Sequence, residues 1–371
     1  MRRCLPILIW LAVSACSSPP PTPQEFIREL PPKRQLTPAQ REHTQQESQR
    51  ARSDLIAGRY AEARDRAREV LDTHPRLVLA RAVLGRSLSA LAFAQDPPDH
   101  GLAQEAEGHL LLALRLAPHD PQVRLFYAEL LVADGHLSRA GQELDRLLRE
   151  HPRYPPGLRA AADVHDELSE ERAAAPLLSR LLAETPGDAW ALFRLAHCRV
   201  QLAAAHLRGD SEIGEDQDRV EVAVAAFQLA AKTFQDYQGA AQNDPEGYLG
   251  EAHARYQALT AGSKDQAAKQ SRGAAILALF QKARELDPKN PATFHGEGAV
   301  FDLLEQEDRA RKAYNEALSL DANHVPSLLN LAALLYEADE KAAAKDLWRR
   351  AMTLEITPGE KREIKKLLKE K

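Results

Sequence analysis

Along this chain the positions where a helix must break recur at a fixed spacing, and that spacing limits the fold more than any other feature. Pro75, Pro118, Pro152, Pro186, Pro245, Pro288, Ala322 and Ile356 mark it, at intervals of 43, 34, 34, 59, 43, 34 and 34 residues. Four of the seven intervals are 34, and the others exceed it by 9, 25 and 9, so they read as one unit with insertions. The residues between are rich in Ala, Leu, Arg and Glu at helical periodicity, with almost no strand-like alternation. A proline lacks the amide that would continue a helix, so each mark ends one unit and opens the next. A coiled coil would need sustained heptads without such breakers. At 371 residues the chain exceeds the size at which a single core stops growing, about 250 residues, which favours either several domains or a stacked repeat.

Within the units, small and large apolar residues hold constant places. The third unit has Tyr127, Ala128, Leu131, Gly135, Leu137, Ala140, Leu144, Leu147 and Pro152; the first has Gly58, Tyr60, Ala63, Ala67 and Pro75. The last has Leu328, Leu331, Ala332, Leu335, Ala344, Trp348 and Ala351. Alanines such as Ala128 and Ala140 let two helices approach closely, while larger residues at i+3 and i+4 fill the seam. The pattern resembles the tetratricopeptide repeat, a helix-turn-helix unit of 34 residues, over about Thr44 to Ile356 in eight units. The resemblance implies an all-α solenoid, a right-handed superhelix of antiparallel helix pairs, over residues 41–356. Insertions fall near 90–99, 204–221 and 261–270. The fourth unit departs by Ser169 and Glu171 in place of the usual glycine and aromatic, and the fifth and sixth are interrupted. Residues 357–371 place Ile364, Leu367 and Leu368 on one stripe among lysines and Arg362, as expected of a capping helix over the last apolar face. Contact of this basic strip with membrane or nucleic acid is the alternative.

The N-terminus has a different texture. Arg2 and Arg3 precede an apolar run from Cys4 to Val13 that is too short to span a bilayer, and Ser14 and Ala15 follow: the three parts of a secretory signal over residues 1–15. Val13-Ser14-Ala15-Cys16 resembles the lipobox of bacterial lipoproteins, which implies lipid on Cys16 and removal of what precedes it. Because Ser17 follows, not the aspartate that retains such proteins in the inner membrane, the resemblance implies an outer membrane, facing the periplasm. Residues 16–40 hold Pro19, Pro20, Pro21, Pro23, Pro31, Pro32 and Pro38, a disordered tether that reaches about 60 to 70 Å if extended.

Lys plus Arg is 49 and Asp plus Glu is 54; loss of Arg2 and Arg3 with the signal leaves 47 basic residues, so no basic field exists to attract nucleic acid. With Cys4 removed and Cys16 lipidated, Cys198 is the remaining thiol, read as a core residue. No metalloprotease helix, phosphate-binding glycine loop, nucleophile elbow or paired-cysteine zinc site occurs. The expectation is a protein that is not an enzyme and takes no cofactor and no metal. Asp210, Glu212, Asp216, Asp218 and Glu221 loosely follow a calcium loop, but Gly214 and Glu215 stand at the wrong places, so a solvated acidic loop is preferred.

In the resembled family the second, fifth, ninth and twelfth positions of each unit line a concave partner groove. Transferred to this sequence they are Arg86, Glu129, Arg159, Asp163, Asp166, Trp190, Phe193, His197, Leu249, Tyr256, Leu259, His295, Asp302 and Tyr336. Trp190, Phe193 and Tyr256 make this an apolar and aromatic groove for an extended or helical segment of a protein; packing between helices is the alternative use of the same side chains. The lysine and asparagine clamp that some family members use for a C-terminal carboxylate is not evident. The functional expectation is a membrane-anchored scaffold in the assembly of an envelope machine: pilus, secretin, polysaccharide export or cell-wall complex. An accessory or cryptic-site envelope enzyme, and a structural homo-oligomer, are the other readings.

Overall fold

The structure, a computed structural model, describes residues 37–210, 218–263 and 265–369. The signal, Cys16 and most of the tether lie outside the described residues, as do Glu212 and Asp216 of the acidic insertion. The described residues form helices joined by short turns and divide after Pro152 into two bodies.

The N-terminal body consists of α1 (Pro38–Ile56), α2 (Tyr60–Thr73), α3 (Val78–Phe93), α4 (His100–Leu116), α5 (Pro121–Ala133) and α6 (Leu137–Glu150). The C-terminal body consists of α7 (Pro155–Glu167), α8 (Glu171–Glu184), α9 (Ala189–Arg208), α10 (Arg219–Ala240), α11 (Pro245–Gly262), α12 (Gln266–Leu286), α13 (Pro291–Leu303), α14 (Glu307–Leu320), α15 (Val325–Glu337), α16 (Lys341–Met352) and α17 (Pro358–Leu367). In each body a helix packs on its successor to form a pair, and the second helix of most pairs packs on the first helix of the next. The first helices also touch one another in sequence, α1, α3 and α5 in one body and α9, α11, α13 and α15 in the other. This is an all-helical solenoid, stacked because no single pair can bury its own apolar side.

Two kinds of turn repeat. Inside a standard pair, three residues separate the helices and the middle one takes a left-handed backbone: Gly58 at φ 74 and Gly135 at φ 76, but also Ser169 at 56, Glu305 at 58 and Asp339 at 64. Between pairs, four residues intervene. The first caps the outgoing helix and the fourth caps the incoming one, its amide bonded to the carbonyl of the first, as in Asp120 to Ala117 and Asp188 to Thr185. Asp120, Asp188, Asp244 and Asn290 then accept amide hydrogens of the first turn through their side chains.

One register differs from the sequence expectation. Pro118, Pro152, Pro186 and Pro288 each follow the residue that caps an outgoing helix, whereas Pro245 is the first residue of α11, with Asp244 as its cap. Ala241 caps α10, so Gln242 occupies the place that Pro118 holds in its own turn. The sixth unit therefore starts three residues earlier than the proline ruler places it.

Insertions go largely into helix length. The helices α9 to α12 run 20, 22, 18 and 21 residues, against 13 or 14 in α5 to α8. Their added turns pack on one another through Ala203, Ala223 and Phe227. At the far end α17, opened by a Thr357–Glu360 capping box, sets Ile364 beside Ile356 and Trp348 in the cluster that closes the stack.

Candidate functional site

The first helices of the pairs carry the expected groove positions, and the structure sorts them into two groups. In the N-terminal body Arg86 Nε lies 2.8 Å from Glu129 Oε2, a pair joining α3 to α5. Burial pushes the Glu129 carboxyl above the usual carboxylate range, and Arg86 pulls it back in part. The remaining residues belong to the C-terminal body.

There, two guanidinium groups lie near the Trp190 ring. The Arg159 guanidinium sits 4.2 Å from the Trp190 ring centroid and the Arg194 guanidinium 6.0 Å from it. Arg159 is held by Asp188, at 2.5 Å, which also caps α9; Arg194 is held by Asp166. Thus α7 contributes Arg159 and Asp166, α9 contributes Trp190 and Arg194, and each cation keeps its ring contact through a carboxylate on the neighbouring element. Asp163, half-buried beside them, has its carboxyl raised by burial, a shift that Arg194 and Arg159 oppose.

One turn further along α9 the chemistry becomes aromatic. Phe193 lies 4.4 Å edge-on from His197 and 5.2 Å, tilted, from Tyr237, and His197 lies 5.3 Å edge-on to Phe234. Phe193 therefore packs within its own pair while part of its ring stays open, and His197 is exposed. On α11, Leu249 and Leu259 are 6% and 2% exposed and belong to the core with Ile276 and Phe280, so they offer a partner no surface. Tyr256 is half-buried, its phenol pushed up by burial. His295 lies 5.5 Å from His324, with Ser327 Oγ 2.8 Å from His324 Nδ1 and 3.4 Å from His295 Nδ1. Asp302 is exposed on α13, and Tyr336 packs 5.3 Å from Trp348 with Lys341 over its ring.

The three-residue offset in the sixth unit explains the core leucine and exposes what sequence reasoning missed. With α11 starting at Pro245, the four groove positions become Glu246, Leu249, His253 and Tyr256, and Leu259 drops out. His253 then aligns with His197 one pair earlier. Burial lowers the His253 imidazole to about 4, with His197 adding to the effect, and its ring lies 5.2 Å from Phe280. His295 is likewise lowered to about 4 by burial, with His324 and His253 contributing. Neutral imidazoles therefore line successive first helices. The signal was in the sequence: Asp244-Pro245 repeats Asp120-Pro121 and Asn290-Pro291, a cap followed by a first-turn proline.

Among the described residues no group of three or more His, Cys, Asp or Glu side chains converges as metal ligands would, and no helix is long and apolar enough to cross a membrane. The first-helix face carries rings and guanidinium groups at partly exposed positions.

Comparisons with known proteins agree with this architecture. A tetratricopeptide repeat model matches residues 99–163. The crystal structure of a tetratricopeptide repeat protein from Parabacteroides merdae superposes with a TM-score of 0.50 at 16% identity, over 77% of this chain and 97% of that one. YrrB, described as a TPR protein with an unusual peptide-binding site, aligns at 16% identity and a TM-score of 0.46, over 59% of this chain and 95% of its own. The Cut9–Hcn1 hetero-tetramer of the APC/C aligns at 15% identity and 0.45, over 86% of this chain and 55% of that chain. No curated protein matches the sequence. The likeness to the Parabacteroides protein is one of fold. Fold and repeat together define the class: a helical solenoid of tetratricopeptide type, an architecture that presents extended surfaces for protein binding.

Proposed function

We propose that this chain is a lipid-anchored scaffold of a bacterial cell envelope. Lipid on Cys16 holds it to the membrane, the proline-rich segment before α1 gives it reach, and the first-helix face of the C-terminal body recruits a protein into an envelope assembly. The sequence expectation ran that segment to residue 40, but Pro38 already opens α1, capped by Thr37. Pilus, secretin, polysaccharide-export and cell-wall machines are the settings in which similar lipoproteins serve. Ser17 after the lipid-bearing cysteine favours the periplasmic side of an outer membrane.

The observation that carries the reading is the band running from the Arg159–Trp190–Arg194 cluster through Phe193 and His197 to His253 and Tyr256. Tryptophan, tyrosine and arginine contribute most of the binding energy at typical interfaces, and here they are held in place by ion pairs and ring packing before a partner arrives. An extended or helical segment rich in apolar side chains fits that surface.

The test is crosslinking in cells, with membrane fractionation of the same samples. A defined envelope protein is captured by the native chain and lost with Trp190→Glu plus Tyr256→Glu, while Cys16→Ala moves the protein out of the membrane fraction. Undiminished capture by the double variant removes the face from the reading, and full membrane retention of Cys16→Ala removes the anchor.

A further inference from the structure

On the other side of α11 from His253, three grooves follow one another between neighbouring second helices of the C-terminal body, each floored by a first helix. They lie between α8 and α10, between α10 and α12, and between α12 and α14. Their charge differs. In the first, Arg199 donates to Thr233 and faces Asp236. In the last, Arg284 is paired with Glu297 at 3.0 Å, Arg309 lies over Phe301, and Glu316 shares the wall.

In the middle groove one cation of three is paired, Arg255 with Glu251, and that carboxylate lies beneath the lining. The groove encloses about 450 Å³; Ala258 and Ala275 are its open apolar lining, above the closed core side chains of Ala231, Leu259 and Ile276, and its walls carry Lys232, Arg255 and Arg272 with no carboxylate among them. Lys232 and Arg272 form no ion pair among the described residues. Arg255 is anchored from below: Glu251, 2% exposed, accepts its Nε at 2.7 Å and also accepts the side-chain amides of Gln235 and Gln238, each at 2.7 Å. Glu251 is thus committed to holding this wall in place and is closed to solvent, while the remaining guanidinium nitrogens of Arg255 carry no hydrogen bond to it. Two unpaired cations, Lys232 and Arg272, beside an Arg255 whose charge is balanced only from below by Glu251, make a local excess of positive charge on a chain with more acidic than basic residues. Ala258 and Leu259 lie at or beyond the point where a 13- or 14-residue helix from Pro245 would end, and Arg272 lies just before the point where such a helix ending at Leu286 would begin, so the lengthening of α11 and α12 helps to create the groove.

We infer that the α10–α12 groove is a second protein-docking site, one that takes an acidic peptide segment whose small apolar side chains rest on Ala258 and Ala275 while its carboxylates meet Lys232, Arg272 and the outer nitrogens of Arg255. The inference is independent of the ring-bearing face, which lies on the opposite side of α11.

The test is fluorescence anisotropy with the folded chain and a labelled decapeptide of Leu, Ala, Asp and Glu, against the same peptide with Asn and Gln in place of the acids. The acidic peptide is expected to bind at least about tenfold more tightly, with salt weakening it, and Lys232→Glu plus Arg272→Glu is expected to cost about tenfold or more. Both positions are exposed, so circular dichroism of that variant should match the native chain. Trp190→Glu plus Tyr256→Glu should leave the peptide affinity unchanged, which separates this site from the other face. Equal binding of the two peptides, an affinity untouched by the charge reversals, or binding of anionic phospholipid vesicles without binding of the peptide would each overturn the inference.

Discussion

Glu305 stands with φ at 58 in the turn between α13 and α14, a conformation that crowds its Cβ against the backbone. The turn leaves no choice, because the Gln306 amide must reach back to the Phe301 carbonyl, at 2.9 Å, just as His136 reaches Leu131 in the turn that Gly135 serves. Glu305 makes no side-chain hydrogen bond or ion pair that would compensate. Glu305→Gly should therefore raise stability by about 0.5 to 1 kcal/mol, the left-handed penalty less the extra freedom glycine loses on folding. Urea unfolding checks this, and an unchanged or lower midpoint would show that the strain is not there. Gly58 and Gly135 were legible in the sequence as turn residues. That Ser169, Glu305 and Asp339 adopt the same backbone was not, since a turn forced by the helices on either side needs no glycine to mark it.

At the scale of helices, the close approaches were legible in kind and not in place. Ala128 and Ala140 were read as points of contact, and both are fully buried. Glycine makes tighter ones: a Cβ on Gly296 would collide with the ring of Phe280, which is itself fully buried and has nowhere to go. Gly296→Ala should cost about 1 to 3 kcal/mol, as overpacking of a filled core does, whereas Gly187→Ala, where a Cβ meets nothing, should cost little. Equal thermal midpoints for the two variants would contradict the packing account. The stacked helix pairs were readable from spacing because a breaker must stand wherever a helix ends. The start of α11 was misplaced because a proline serves two positions, after a helix and at its first turn, and spacing alone does not tell them apart. That single ambiguity concealed His253 and put Leu259 on a face it does not occupy.

Across the molecule, half-buried imidazoles recur: His109 in the N-terminal body, and His253 and His295 in the C-terminal body, each lowered to about 4 chiefly by loss of solvent around the ring. Arg81 and Arg68 add to the shift at His109 against Glu105; His197 acts on His253, and His324 and His253 act on His295. An unfolded histidine titrates near 6.5, so above that pH both states hold it neutral and it contributes no pH dependence. As pH falls from about 6.5 toward 4, the unfolded chain takes up these protons and the folded chain does not, so stability is lost through that window and levels off below it. Buried carboxyls oppose the trend, since Asp163, Glu129 and Glu297 are raised by burial and bind protons more readily when folded. The discriminating measurement is therefore a difference: urea unfolding at pH 7 and at pH 4.5 for the native chain and for His253→Gln plus His295→Gln. The native chain should lose more stability than the variant between the two pH values, because the variant lacks two of the groups that only the unfolded state protonates. A variant that loses as much as the native chain would mean that these imidazoles are not held neutral, and the line of uncharged rings along the first helices would have to be redrawn as a line of cations in acid.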